Sequence, residues 1–240
     1  MEQRALKLGL SFSYGGAYAA YYYGVYEYLH ETFDLAGVSY FAGVSAGCQV
    51  AYWLACGIPP SDAWNKWFLP TMRRGCARKT IFGSPYYPDL HETALRNLRL
   101  LYEPSMLDAC NRSLYICATD LETMRAETHH TFANQGELFD SLFASQCVPF
   151  LFDTHVTIRG VRYVDGAILS HSTNYEPCEA SWIHVNVFTW ENMHVLGSLT
   201  SLSHLHSRSH HAHLKTRGYE TARRRHGWLV LQGLPLKSTV

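Results

Sequence analysis

A run of apolar and β-branched residues, Gly37-Val38-Ser39-Tyr40-Phe41-Ala42, passes through Gly43-Val44-Ser45-Ala46-Gly47 into a segment rich in Ala, Leu, Trp and Val that continues to Cys56. The pattern reads as strand, tight turn and helix, and the turn has the form Gly-x-Ser-x-Gly. Gly43 and Gly47 let the backbone bend sharply, and their missing side chains leave the serine hydroxyl open to approach. The helix that follows aims its N-terminal N–H groups and the positive end of its dipole at the same point. This is the context of a nucleophile elbow, and it implies an α/β fold with a site at a strand end. The bare pattern also arises by chance in about one chain in ten of this length, as an ordinary turn with an unreactive serine.

Two further elements add to it. Val161-Arg162-Tyr163-Val164 alternates and ends in Asp165-Gly166-Ala167. A carboxylate at a strand end, beside a glycine that permits close approach, can orient a serine hydroxyl and take its proton as attack begins. By itself Asp-Gly is a common turn. Near the N-terminus the apolar strand candidate Leu6 to Phe12 runs into Ser13-Tyr14-Gly15-Gly16-Ala17-Tyr18-Ala19 and then a helix candidate to about Glu31. A glycine turn of this kind presents several backbone N–H groups in one direction, which suits an oxyanion. No Lys follows the glycines and the Walker spacing is absent, which argues against a nucleotide loop.

In this order, glycine loop, Gly-x-Ser-x-Gly and Asp-Gly-Ala, the chain resembles the catalytic domain of the patatin-like phospholipase family. Gly24-Val25-x-x-Tyr28-Leu29 resembles the continuation of that family's first helix, and Ala144-Ser145-Gln146-Cys147-Val148-Pro149-Phe150-x-Phe152 its segment before the aspartate. Gly160-Val161-Arg162-Tyr163-Val164-Asp165-Gly166 resembles the animal branch that includes adipose triglyceride lipase and adiponutrin, as does the later Gly218-Tyr219. The resemblance covers about residues 5 to 190, with 191–240 a looser C-terminal helical region.

The resemblance implies a Ser–Asp dyad with Ser45 as nucleophile and Asp165 as its partner. It also implies an oxyanion hole of backbone N–H groups near Gly15, Gly16, Ala17 and Ala46. The reaction is then hydrolysis of phospholipid or acylglycerol esters through an acyl-enzyme, at a membrane or lipid-droplet surface, with no metal and no organic cofactor. Histidines follow Asp165, so a triad stays open. However, only two strand candidates precede Ser45, unlike the order of a conventional α/β-hydrolase. The family's loop commonly reads Gly-Gly-Gly-x-Arg-Gly, and here Tyr14, Tyr18 and Ala19 replace the outer glycines and the Arg. The Asn and Pro that follow the family's aspartate correspond to His171 and Thr173. These departures keep a second function open, that of a lipid-binding or regulatory protein with the fold but little turnover.

Composition fits one globular domain, 1–240: the chain is 47% hydrophobic and formally neutral. Neutrality argues against a nucleic-acid partner and against a strong attraction to anionic membranes. The seven cysteines, at 48, 56, 76, 110, 117, 147 and 178, are scattered and mostly in apolar segments. They read as reduced core residues without zinc spacing. Met1-Glu2-Gln3-Arg4 leads into a strand rather than a long apolar leader, and no run of about 20 apolar residues occurs, so the expected location is cytoplasmic, peripheral to membranes or lipid droplets. The oligomeric state stays open.

Strand candidates at 6–12, 38–44, 113–119, 125–132, 155–165 and 182–188 alternate with helix candidates near 17–31, 46–57, 61–75, 88–102, 135–145 and 209–226. The alternation predicts a three-layer α/β/α fold, patatin-like, with a mixed central sheet. Tyr18, Tyr21, Tyr22, Tyr23, Tyr26 and Tyr28 fall on one predicted helix and either line an acyl groove or, more simply, pack a core. His204, His206, His210, His211 and His213 have no Cys or carboxylate at ligand spacing and read as a polar loop and helix face.

Overall fold

A computed structural model describes residues 7–74, 78–79, 85–149, 151–169, 180–193 and 207–238. In chain order the elements begin with β1 (Lys7–Phe12), α1 (Ala19–Thr32), β2 (Tyr40–Val44), α2 (Ala46–Ala55) and the short α3 (Pro60–Asp62). A π-helical stretch, Ala63–Phe68, carries α3 into α4 (Leu69–Arg74). There follow β3 (Arg78–Lys79), β4 (Pro85–Tyr86), α5 (Pro88–Leu101), α6 (Ser105–Ser113), β5 (Leu114–Asp120), β6 (Arg125–His129) and α7 (Gln135–Ala144). The last elements are β7 (Val156–Ile158), β8 (Val161–Asp165), β9 (Ala180–Val185), α8 (Val187–Glu191), α9 (Arg208–Arg224) and α10 (His226–Leu231).

Seven strands form one mixed sheet with helices on both sides. Strands β9, β1, β2 and β5 lie side by side and parallel, while β6 and β8 run antiparallel to β5 and β7 antiparallel to β8. The registers on β5 place the site. Cys117 faces Val44 of β2 and Thr128 of β6, and the next residue, Ala118, faces Asp165 of β8 and Glu127 of β6. A strand residue has one neighbour on each edge, so β6 occupies one edge of β5. Strands β2 and β8 share the other, lying end to end. They run in opposite directions, so their C-termini meet at adjacent rungs. Ser45, one residue past β2, therefore arrives beside Asp165, the last residue of β8.

The main core lies between the sheet and α1, α2 and α7, with Leu10, Phe12, Leu114, Ile116, Ile183 and Val185 fully or almost fully buried. The tyrosines at 21, 22, 23, 26 and 28 of α1 belong to this core. Helix α1 also packs closely against α9, and two glycines make that approach possible. A Cβ on Gly24 would stand 1.8 Å from the Lys215 carbonyl oxygen, and one on Gly218 2.0 Å from that of Tyr21.

Local chemistry moves several expected boundaries. The single strand expected over 155–165 is a hairpin, because Arg159 and Gly160 both take positive φ (51° and 85°) and turn the chain between β7 and β8. The strand expected over 182–188 ends at Val185, where the Asn186 side chain accepts a hydrogen bond from the Phe188 N–H and starts α8. The helix expected over 209–226 stops at Arg224 and restarts as α10. Helix α6 was not expected; its polar residues Asp108, Asn111 and Arg112 hide a buried edge of Met106 and Cys110. None of Cys48, Cys56, Cys110, Cys117 and Cys147 is in a disulfide. Met1–Arg4, Leu6, Cys76, Phe150, His171, Thr173, Cys178, His204 and His206 lie outside the described residues.

Candidate active site

The turn at Ser45 is held by close backbone contacts. Ser45 has φ 53° and ψ −128°, a conformation that costs a non-glycine residue of order 1–3 kcal/mol and persists only where its surroundings impose it. The flanking glycines are those surroundings. A Cβ on Gly43 would meet the Cys48 Cα at 2.4 Å, and one on Gly47 the Phe12 carbonyl oxygen at 2.2 Å. The Ser45 N–H donates to Ser145 Oγ at 2.9 Å, just beyond α7, which fixes the turn from a third side. In the sequence Ser145 is one residue of the 144–152 motif, and nothing local marks it as the partner of the Ser45 N–H.

The Ser45 hydroxyl donates to Asp165 Oδ2 at 2.7 Å. Three other bonds hold the aspartate, and a fourth holds the glycine after it. Its Oδ1 accepts from the Ala167 N–H at 2.8 Å, and its own N–H donates to the Cys147 carbonyl at 2.9 Å. Thr119 Oγ1 donates to its carbonyl oxygen at 3.0 Å, and the Gly166 N–H donates to the Ser145 carbonyl at 3.3 Å. Gly166 allows this fit, since a Cβ there would sit 2.4 Å from the Cys117 carbonyl oxygen. Asp165 is buried, and burial pushes its carboxyl up to about 6, against the opposing pull of the hydrogen bonds from Ser45 and Ala167. Such a carboxylate is ionised at neutral pH yet far more basic than an exposed one. It can accept a proton from the alcohol it already contacts.

The glycine loop reaches the same place. Gly16 takes φ 52°, a value glycine adopts freely, and opens a 3₁₀ turn over Gly16–Tyr18. Gly16, Ala17 and Ala46 line the cavity that holds Ser45. Gly15 does not lie on that wall. It sits behind, and a Cβ there would come within 2.8 Å of the Tyr22 ring. Backbone N–H groups at a 3₁₀ turn and at the first residue of a helix are the kind of donor that suits an oxyanion.

The cavity has a volume of about 150 Å³. Its walls are largely apolar, with Trp67 and Phe68 from the π-helical stretch, Met72, Leu90 and Ala94 from α4 and α5, and Phe143, Val148, Leu151 and Phe152 opposite. None of the α1 tyrosines lines it, so those residues serve packing. Polar groups that sequence reasoning missed also line it. Gln49, one helical turn past Ser45, donates through Nε2 to Gln146 Oε1. His91 lies 4.0 Å through Nδ1 from Asp153 Oδ2, and burial lowers its pKa below the usual histidine value. His211, expected on a polar face, is instead buried against the cavity with Phe68 edge-on at 5.1 Å. No cluster of three or more metal-ligating side chains occurs among the described residues, and no helix among them is long and apolar enough to cross a membrane.

A family model described as Patatin-like phospholipase matches residues 10–174. Among solved structures the chain is similar to VipD from Legionella pneumophila, with a TM-score of 0.54 at 13% identity over 75% of this chain and 50% of that one. It also matches the ExoU–SpcU heterodimeric complex from the type III secretion system of Pseudomonas aeruginosa, with a TM-score of 0.40 at 19% identity over 92% of this chain and 52% of that one. The chain thus spans about half the length of each of these solved chains. No curated protein sequence matches it significantly.

Proposed function

The chain belongs to the patatin-like phospholipase family, and from that premise we propose that it is a lipid acyl hydrolase working through Ser45 and Asp165. The observation that carries the reading is the 2.7 Å hydrogen bond from the Ser45 hydroxyl to a buried carboxylate of raised basicity. Ser45 Oγ attacks the ester carbonyl as its proton passes to Asp165 Oδ2. Backbone N–H groups of Gly16, Ala17 and Ala46 face the developing oxyanion, with Gly15 behind them as support. Asp165 returns the proton to the departing alcohol, leaving an acyl group on Ser45. A water then gives its proton to Asp165 as it adds to the acyl carbonyl, and Asp165 passes that proton to Ser45 Oγ as the bond to serine breaks and the acid leaves. The acyl chain lies along the apolar walls from Trp67 to Phe152, and the substrate is a phospholipid or an acylglycerol presented at a membrane or lipid-droplet surface. The sequence of Gly160–Gly166 supports placement near the family's animal branch, and a cytoplasmic setting goes with that reading.

A triad remains the competing mechanism, because His91 and His211 line the same cavity. It requires that replacing one of these histidines abolish turnover. The test is labelling by a fluorophosphonate probe together with acyl-ester hydrolysis on mixed micelles. Wild type should label and turn over, Ser45→Ala should do neither, and His91→Gln and His211→Gln should keep Ser45 reactive. Equal labelling of wild type and Ser45→Ala removes Ser45 from the chemistry. Lipid binding without any turnover supports the regulatory alternative that the altered glycine loop keeps open.

A further inference from the structure

The loop that carries Gly15 and Gly16 departs from its family's pattern, losing two glycines and an arginine, yet it is gripped from three directions. At its start the Ser13 N–H donates to the Val185 carbonyl at 3.0 Å. Beneath it, the missing side chain of Gly47 lets α2 press against the Phe12 and Ser13 carbonyl oxygens, which a Cβ would meet at 2.2 and 2.5 Å. The third grip is Tyr22. This residue sits on α1, fully buried, and its ring stands edge-on to Phe12 at 6.1 Å. The ring also fills the space where a side chain on Gly15 would go. Its hydroxyl donates to the Tyr14 carbonyl at 2.9 Å and accepts from the Val187 N–H at 3.4 Å.

The Tyr14 carbonyl belongs to the peptide immediately before Gly15. Glycine-rich backbone rotates easily, so the direction of the following N–H groups depends on what pins the neighbouring peptide planes. A buried hydroxyl bonded on both sides is a fixed point, because leaving the Tyr14 carbonyl without its donor carries a desolvation penalty. We propose that Tyr22 is the positioning residue of the oxyanion loop: its hydroxyl sets the Tyr14–Gly15 peptide and thereby the aim of the Gly16 and Ala17 N–H groups at the Ser45 reaction centre. Tyr22 touches no substrate and is absent from the cavity wall. It takes the place of loop chemistry that this chain lacks. The inference rests on the reading of Ser45 as the nucleophile of an acyl hydrolase.

The experiment is Tyr22→Phe, which keeps the ring packing against Gly15 and Phe12 and removes only the hydroxyl. Its control is Tyr26→Phe, on the same helix, where the lost hydroxyl donates to the Ile58 carbonyl, away from the loop. Tyr22→Phe loses two hydrogen bonds, the shorter to the Tyr14 carbonyl and the longer from the Val187 N–H, and Tyr26→Phe loses one, so both melting temperatures should fall, that of Tyr22→Phe by somewhat more. The activities should separate. Tyr22→Phe should lower kcat by about 10- to 100-fold with KM within about twofold, the size expected when oxyanion donors are misaimed rather than removed. The rate of fluorophosphonate labelling at Ser45 should fall in parallel. Tyr26→Phe should keep the wild-type kcat. A Tyr22→Phe enzyme with wild-type kcat, or equal losses in both variants, overturns the proposal. A wild type with no Ser45-dependent labelling or turnover instead overturns the hydrolase reading on which it rests.

Discussion

Replacing Asp165 by Asn should stabilise the protein while destroying its turnover. The carboxyl titrates near 6 in the fold, against 3.8 for an ordinary aspartate, chiefly because it is buried. At about 1.4 kcal/mol per pH unit, keeping it ionised at neutral pH costs the folded state about 3 kcal/mol. The sign follows from that displacement. The folded state holds the proton more tightly than the unfolded chain, so the native protein is relatively favoured below about pH 4 and loses that advantage as pH rises through about 6. Asparagine has the same shape and no charge. It keeps an oxygen for the Ala167 N–H but turns an NH₂ toward Ser45, which disturbs one hydrogen bond at a cost of about 1 kcal/mol. The net gain is then about 2 kcal/mol at pH 8, which raises the melting temperature of a chain this size by about 4–8 °C. Thermal unfolding of both proteins between pH 4.5 and pH 8 reads the effect. The difference in melting temperature should be largest above pH 7 and shrink to nothing, or change sign, as pH falls to 4.5, where the wild-type carboxyl is protonated too. A difference that stays flat across this range would refute the claim that burial holds Asp165 at raised basicity.

Three further outcomes follow from the same contacts. The kcat/KM for ester hydrolysis should rise tenfold per pH unit below about pH 6 and level off above it, since only ionised Asp165 accepts the Ser45 proton; a pH–rate profile on a soluble short-chain ester checks this. Ser145→Ala leaves the Ser45 N–H without its buried acceptor and should destabilise the protein by about 1–3 kcal/mol while slowing turnover, as read by denaturant titration and kinetics. Gly24→Ala drives a Cβ into the Lys215 carbonyl and should separate α1 from α9, at a cost of about 3 kcal/mol or failure to accumulate folded protein, visible in circular dichroism melts.

The parts of the molecule that sequence reasoning found are those where one residue type answers one local demand. Gly43, Ser45 and Gly47 mark a turn no bulkier set could make, and Asp165-Gly166 marks a strand end pressed against the Cys117 carbonyl. Strands β1, β2 and β5 could be found for the same reason, as their apolar runs are buried in the core. The misses have a common cause as well. His211 reads as one histidine among several in a polar helix, and only the packing of α9 onto Phe68 turns it inward. Gln49 and Gln146 are 97 residues apart, and their pairing depends on the junction at β5 rather than on any local pattern. The break at Arg159-Gly160 needs two consecutive positive φ values, a demand that Arg does not advertise. Gly24 and Gly218 each stand in a motif of the sequence, but their shared role in the α1–α9 contact is visible only once the two helices have been brought together.

Strand β5 acts as a ruler for Ser45 and Asp165. Ser45 and Asp165 are 120 positions apart along the chain, yet their spacing in the fold is set by the neighbouring rungs Cys117 and Ala118. The length of chain between them is therefore nearly invisible to the site, and loops there can grow or shrink without moving it. Parity is not invisible. Side chains alternate across a strand, so adding one residue within β8 swings Asp165 to the opposite face, whereas adding two restores it. Lineages descended from this scaffold should thus show connections of every length between the two groups, but changes inside β8 only in even steps.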